Sequence, residues 1–69
     1  MVKFAERLKA LRKGKNMRQA DAAKLLGIGV RTYQYYESDE HRPDYEMLIK
    51  PADFFGVSTD YLLGRSEER

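Results

Sequence analysis

The sequence has no cysteine. Without it there is no disulfide staple and no thiolate metal site. That absence fits a reducing cytoplasm, the compartment we expect. Long apolar runs are missing too. No stretch comes near the roughly 18 apolar residues that a membrane span needs. The amino-terminal run MVKFAERLKALRK alternates charged and apolar residues at helical spacing, so it does not read as a signal peptide. There is no Gly-rich phosphate loop and no paired base and nucleophile. We therefore expect no catalytic residue, no enzyme activity, no cofactor and no small-molecule ligand. The sole histidine, His41, lies in the run Asp39-Glu40-His41. A metal needs several convergent ligands, and this run is an unusual set, so no metal site is expected. Strand patterns, repeats and low-complexity segments are also absent.

The 69 residues suit a single domain, residues 1–69. A chain of this size buries only about 60% of its unfolded surface. Its stability must come from helix packing or from a partner subunit. The net charge of +2 hides an asymmetry. Residues 1–31 carry nine Lys or Arg against two acids, a balance of +7. Residues 32–69 carry four basic residues against nine acids, a balance of −5. A basic half suits an anionic partner such as a phosphate backbone; it also suits a merely solvated surface.

Five helices are readable. The first runs from about Val2 to Lys13, with Phe4, Leu8 and Leu11 as an apolar stripe at i, i+4 and i+7. Lys9, Arg12 and Lys13 load its last turn, where cations suit the helix dipole. Gly14 or Asn16 can take the left-handed exit, and Met17 should pack back inward. The second runs from about Arg18 to Leu26 and the third from about Val30 to Ser38. Residues 39–44 are polar and contain Pro43, so they form a loop. Asp44 is a fitting N-cap for a fourth helix that turns Leu48, Ala52 and Phe55 inward and stops at Gly56. Ser58 caps a fifth, Thr59 to Leu63, ended by Gly64. The tail RSEER, residues 65–69, should fray.

The most informative run is QADAAKLLGIGVRTYQYYE, residues 19–37. It reads as two short helices around a tight turn at Gly27. Ala22, Ala23 and Leu26 face inward from the first. Tyr33 and Tyr36, three apart, face inward from the second, with Arg31, Gln34 and Tyr35 outward. Two steeply crossed helices joined by a short glycine-containing turn make a helix-turn-helix, here residues 18–38. Its second helix fits the major groove of double-stranded DNA. This motif, set in the basic half, favours nucleic acid as the partner.

With these residues in view, the chain resembles the Cro/CI-type (XRE family) helix-turn-helix domain of phage and bacterial repressors. The resemblance rests on ERLKALRK, Gln19 opening the second helix, LLG at the turn, YES after the third helix, and LIKxADFFGVSTDYLLGR, and covers about residues 4–65. It implies an all-α, compact five-helix, lambda-repressor-like domain. It also implies a cytoplasmic regulator, bacterial or phage-encoded, that binds operator DNA as a homodimer. By the same resemblance Gln19 contacts phosphate and buttresses the recognition helix. Gly29 begins that helix, where N–H groups can face a phosphate. Val30, Arg31 and Tyr35 fall at base-reading positions, with Gln34 beside them. Arg12 and Glu37 match an internal salt bridge. Val57, Thr59 and Tyr61 are the dimer-interface candidates, and the sequence leaves open whether the dimer forms only on DNA.

Arg18, Lys24 and Thr32 complete the phosphate-contact candidates. Arg31 can make a bidentate contact to guanine O6 and N7. Tyr35 offers a ring to a thymine methyl or a hydroxyl to phosphate; its other reading is a ring half-buried against the next loop. Gln34 either hydrogen-bonds a base or points to water.

Four positions depart from the family pattern. Gly29 stands where Ser or Thr is usual. The loop after YES carries Asp39 and Glu40 where Gly and Lys are common. Ala22 replaces a larger aliphatic residue, leaving space that Tyr33 and Tyr36 can fill. Pro51 replaces an aliphatic residue inside the fourth helix, where proline costs about 3 kcal/mol. We expect either a kink near Lys50 or a break there, the break making Pro51 the first residue of a new turn. The acidic second half and acidic loop leave a second reading open. In it the chain is an antitoxin-like or anti-repressor protein-interaction module that keeps the fold without operator binding. The basic groove-facing residues oppose it.

Overall fold

Phe4, Leu8 and Leu11 line one side of the first helix and are buried there, so the apolar stripe sets how that helix docks. A computed structural model describes residues 3–69; Val2, the expected start of the helix, lies outside the described residues. Five helices follow in order: α1 (Phe4–Gly14), α2 (Gln19–Leu26), α3 (Val30–Glu37), α4 (Tyr45–Phe55) and α5 (Thr59–Leu63). No strand occurs among the described residues. α3 packs on α1 and α2, while α5 packs on α1 and α4. Tyr33, Leu8 and Leu62 are fully buried. Tyr36 is buried too and meets Phe4 edge-on, with ring centroids 6.2 Å apart. Aromatic bulk from α3 thus packs beside the small Ala22 and Ala23 of α2.

Local chemistry sets the helix ends. Asp44 accepts the Met47 N–H at 2.9 Å, and Ser58 accepts the Tyr61 N–H at 3.0 Å. Both are side-chain caps. Gly27, Gly56 and Gly64 take φ values of 72°, 69° and 82°. Around Gly27 the turn closes through Gly27 N–H to Lys24 C=O and Ile28 N–H to Ala23 C=O, a Schellman pattern. α1 exits differently. Gly14 stays helical, and Asn16 takes the left-handed conformation with φ 56°.

α4 corrects the expected break. It runs through Pro51 as one helix of 11 residues. Proline at 51 removes the N–H that would bond the Met47 carbonyl, a single ladder bond. Its ring is fully buried, and the Asp44 cap and the Gly56 turn hold the two ends. The inward face is also shifted from expectation. Met47, Pro51 and Ala52 are buried, whereas Leu48 and Phe55 are half-buried at the core's edge.

Residues 65–69, expected to fray, fold back on the domain. The Arg7 guanidinium donates to the Tyr61 carbonyl at 3.0 Å and the Ser66 carbonyl at 2.8 Å. It also pairs with Glu67 at 3.0 Å. The Ser58 N–H donates to the Arg69 carbonyl at 2.8 Å.

Candidate nucleic-acid interface

α3 begins at Gly29, whose backbone is extended and supplies no side-chain cap. The first helical bond runs from the Tyr33 N–H to the Gly29 carbonyl at 3.0 Å. The N–H groups of residues 29–32 therefore have no acceptor among the described residues. Such a terminus carries partial positive charge and suits a phosphate.

Along the outer side of α3, Val30, Arg31 and Gln34 are exposed. Gln34 lies four residues beyond Val30 and three beyond Arg31, so it neighbours both on the helix surface. Thr32 is half-buried. Tyr35 departs from its expected exposure. It is half-buried, with its ring centroid 5.1 Å from that of His41. Its carbonyl accepts the N–H groups of Glu40 and His41. The loop after α3 wraps onto this side chain, and His41 also stands edge-on to Tyr36.

Behind the outer face lies a polar relay. Arg12 donates from Nε to Glu37 Oε2 at 2.6 Å and from Nη2 to Glu37 Oε1 at 3.1 Å. Its remaining arm reaches the Met17 carbonyl at 2.7 Å. Gln19 Nε2 donates to Glu37 Oε1 at 3.1 Å, and Gln34 Nε2 donates to Gln19 Oε1 at 3.1 Å. The Arg12–Glu37 pair is thus in place, and Gln19 buttresses α3 through its amide. Burial pushes the Glu37 carboxyl up, but hydrogen bonds from Arg12 and Gln19 outweigh it and hold it below its ordinary value. The Glu37 carboxylate in turn holds Arg12 above its ordinary value. Beside them, burial and then Glu37 raise the Tyr33 phenol, so its hydroxyl stays neutral. Among the described residues that hydroxyl meets no hydrogen-bond partner in good geometry.

An open helix terminus, an exposed outer face and a brace from the preceding helix together describe a helix-turn-helix. Residues 8–62 match the family model described as "Helix-turn-helix". The chain belongs to the XRE-type helix-turn-helix family. Among its relatives is the HTH-type transcriptional regulator ImmR of Bacillus subtilis. It is 39% identical over 66 residues, covering 96% of this chain and 52% of that protein. The cryptic phage CTXphi transcriptional repressor RstR of Vibrio cholerae is 44% identical over 64 residues, covering 93% and 57%. The chain thus spans about half the length of the curated relatives it matches. The crystal structure of the P22 c2 repressor in complex with a synthetic operator superposes with a TM-score of 0.83 at 32% identity. It covers 91% of this chain and 96% of that one.

The remaining family positions divide. Lys24 is exposed and pairs with no acid among the described residues. Arg18 is exposed but bonded through Nε and Nη2 to Asp21, which also accepts the Arg18 backbone N–H. Hydrogen bonding to Asp21 raises Arg18 and lowers Asp21 from their ordinary values. Of the dimer candidates, Val57 is a correction. It is 8% exposed and belongs to the core, because the residue after the Gly56 turn packs back on its own helix. Tyr61 is half-buried under the Arg7 guanidinium, 4.1 Å from the ring centroid. Arg69 lies 5.3 Å from the same ring. Thr59 is half-buried.

Arg7 is the residue that sequence reading missed. Its only signal is position: with Phe4 and Leu11 it recurs at i, i+3 and i+7 on the buried stripe. Among the described residues, no helix is long and apolar enough to cross a membrane.

Proposed function

We propose that the chain binds double-stranded DNA sequence-specifically, as the operator-reading part of a transcriptional repressor. The observation that carries this reading is the outer face of α3. Val30, Arg31 and Gln34 stand exposed beside an uncapped helix terminus, braced from behind by Gln19. In this reading α3 lies in the major groove. Arg31 takes guanine, and Val30 takes an apolar base edge such as a thymine methyl. The N–H groups at Gly29, the free N–H of Gln19, Lys24 and Thr32 hold phosphates and fix the register. Arg18 adds a weaker contact because Asp21 already shares its charge. Tyr35 contributes at the edge of the groove, where the half of its ring left free by His41 is accessible.

The excess of positive charge in residues 1–31 supports the same partner. The operator in the P22 c2 complex supports it by kinship. Two copies would sit on a pseudo-palindrome with half-sites about 34 Å apart, the homodimer forming on DNA. With Val57 in the core, Thr59 and the free edge of Tyr61 remain as its contacts. Such a regulator works in a bacterial cytoplasm, chromosomal or phage-encoded.

Selection of bound duplexes from a random pool tests this reading. An enriched inverted repeat with half-sites one helical turn apart is expected. No enrichment, together with capture of a partner protein, would favour the interaction-module reading. The exposed acids Asp39 and Glu40 beside α3, and the acidic second half, are the features that suit it.

A further inference from the structure

The hydrogen-bonding sense of each amide in the relay follows from its innermost member. Glu37, held ionised beside Arg12, only accepts. Gln19 must therefore turn Nε2 toward Glu37, as it does at 3.1 Å. This leaves Gln19 Oε1 facing α3, where only a donor is welcome. Gln34 supplies that donor from Nε2, also at 3.1 Å. Reversing Gln19 would set its carbonyl oxygen against a carboxylate. Reversing Gln34 would set two amide oxygens against each other. Gln34 is thus left with a free Oε1 and one free N–H. It stands on the exposed side of α3, in line with Val30 and Arg31.

We propose that Gln34 reads adenine, and that Glu37 and Gln19 are positioning residues that fix the polarity of its amide. The inference rests on the DNA-binding reading above. Adenine offers the major groove a donor at N6 and an acceptor at N7, which match the free Oε1 and N–H of Gln34. Guanine offers acceptors at both N7 and O6, one of which would face Oε1. An unbraced glutamine can turn its NH2 toward guanine instead. The brace denies it that turn, and it orders the side chain before DNA arrives. Discrimination at this base pair therefore depends on a residue, Gln19, that touches no base.

The test measures affinities of the whole chain for its selected duplex and for single base-pair variants at one salt concentration. Wild type, Gln34→Ala and Gln19→Ala are compared, with thermal melts as the control for folding. Neither variant removes a buried apolar side chain or an ion-pair partner. Wild type should favour A·T over G·C at one half-site position by about tenfold, and both variants should reduce this to about threefold or less there alone. Preferences at the position read by Arg31 should persist in both. If Gln19→Ala weakens every duplex by one common factor, Gln19 is a phosphate contact only and the relay is overturned. If Gln34→Ala leaves the base profile unchanged, the adenine assignment fails while DNA binding stands. A wild-type chain with no preference at any position would instead overturn the DNA-binding reading itself.

Discussion

Arg12 and Glu37 meet face to face between α1 and α3, through bonds of 2.6 and 3.1 Å. Their side chains are only 10% and 3% exposed. Removing one partner leaves the other charge stranded in the core. Arg12→Ala should therefore lose about 3–5 kcal/mol, much of the stability a small domain has. Urea unfolding followed by circular dichroism measures it. Replacing both residues with apolar side chains of similar volume should cost far less, because no lone charge remains. An unchanged urea midpoint in Arg12→Ala would contradict the buried pair.

The same pair gives stability a defined pH dependence. Glu37 is held below its ordinary value in the fold. A carboxylate with a lowered folded pKa contributes stability that is complete above its unfolded pKa. That contribution is lost as pH falls through the folded value. Stability should hold level from neutral pH down to about pH 5 and decline below it, as the ordinary glutamate range of about 4.3 is passed. Arg12 stays charged throughout; Asp21, also held low by Arg18, adds to the decline, so Glu37's share is what the Glu37→Gln variant removes. Urea midpoints at stepped pH check this, and in Glu37→Gln the acid decline should be shallower.

Two glycines should respond oppositely to added side chains. Gly29 has an extended backbone, and a Cβ there meets nothing within 4 Å. Gly29→Ser adds the missing cap and removes glycine's freedom in the unfolded chain. It should stabilise the fold by about 0.5–1 kcal/mol. At Gly64, φ is +82° and a Cβ would lie 2.9 Å from the Lys3 side chain. Gly64→Ala should lose more than about 1 kcal/mol from left-handed strain. Thermal melts of the two variants should move in opposite directions.

Arg7 ties α1 to α5 and to the returning tail through two carbonyls, Glu67 and the Tyr61 ring. Arg7→Ala should cost about 1.5–3 kcal/mol, the range for hydrogen bonds to a charged group. Amide exchange should rise around residues 61–69 in this variant while α2 and α3 stay protected. Equal exchange along the tail in both proteins would contradict the latch.

What the sequence made legible follows how local each cause is. The stripes of α1 and α2, the caps at Asp44 and Ser58, and the left-handed exits at Gly27, Gly56 and Gly64 depend on neighbours a few residues away. All were readable. The Arg12–Glu37 pair spans 25 residues and was reached only through family resemblance. Arg7 reaches a carbonyl 54 positions away, and no local pattern announces that. Tyr35 looked exposed by helical position, but the loop carrying His41 returns to cover it. Pro51 argued for a break by propensity, and burial of its ring at the core overrode that preference. Val57 was readable in principle, since the residue following a glycine Schellman turn commonly packs back on its helix. On α3, Arg31 and Gln34 are exposed as their helical positions indicate. The bonds joining Gln34 to Gln19 and Glu37 arise only once α1, α2 and α3 converge.

The most direct measurement is equilibrium binding of the chain to its selected duplex and to a shuffled duplex of equal length and base composition. Both are titrated at physiological salt. Sequence reading by α3 should give at least about a thousandfold tighter binding to the selected duplex. Arg31→Ala should cut that ratio by about tenfold while leaving binding to the shuffled duplex nearly unchanged. Equal affinity for the two duplexes, at any strength, would contradict the central claim that this helix reads sequence.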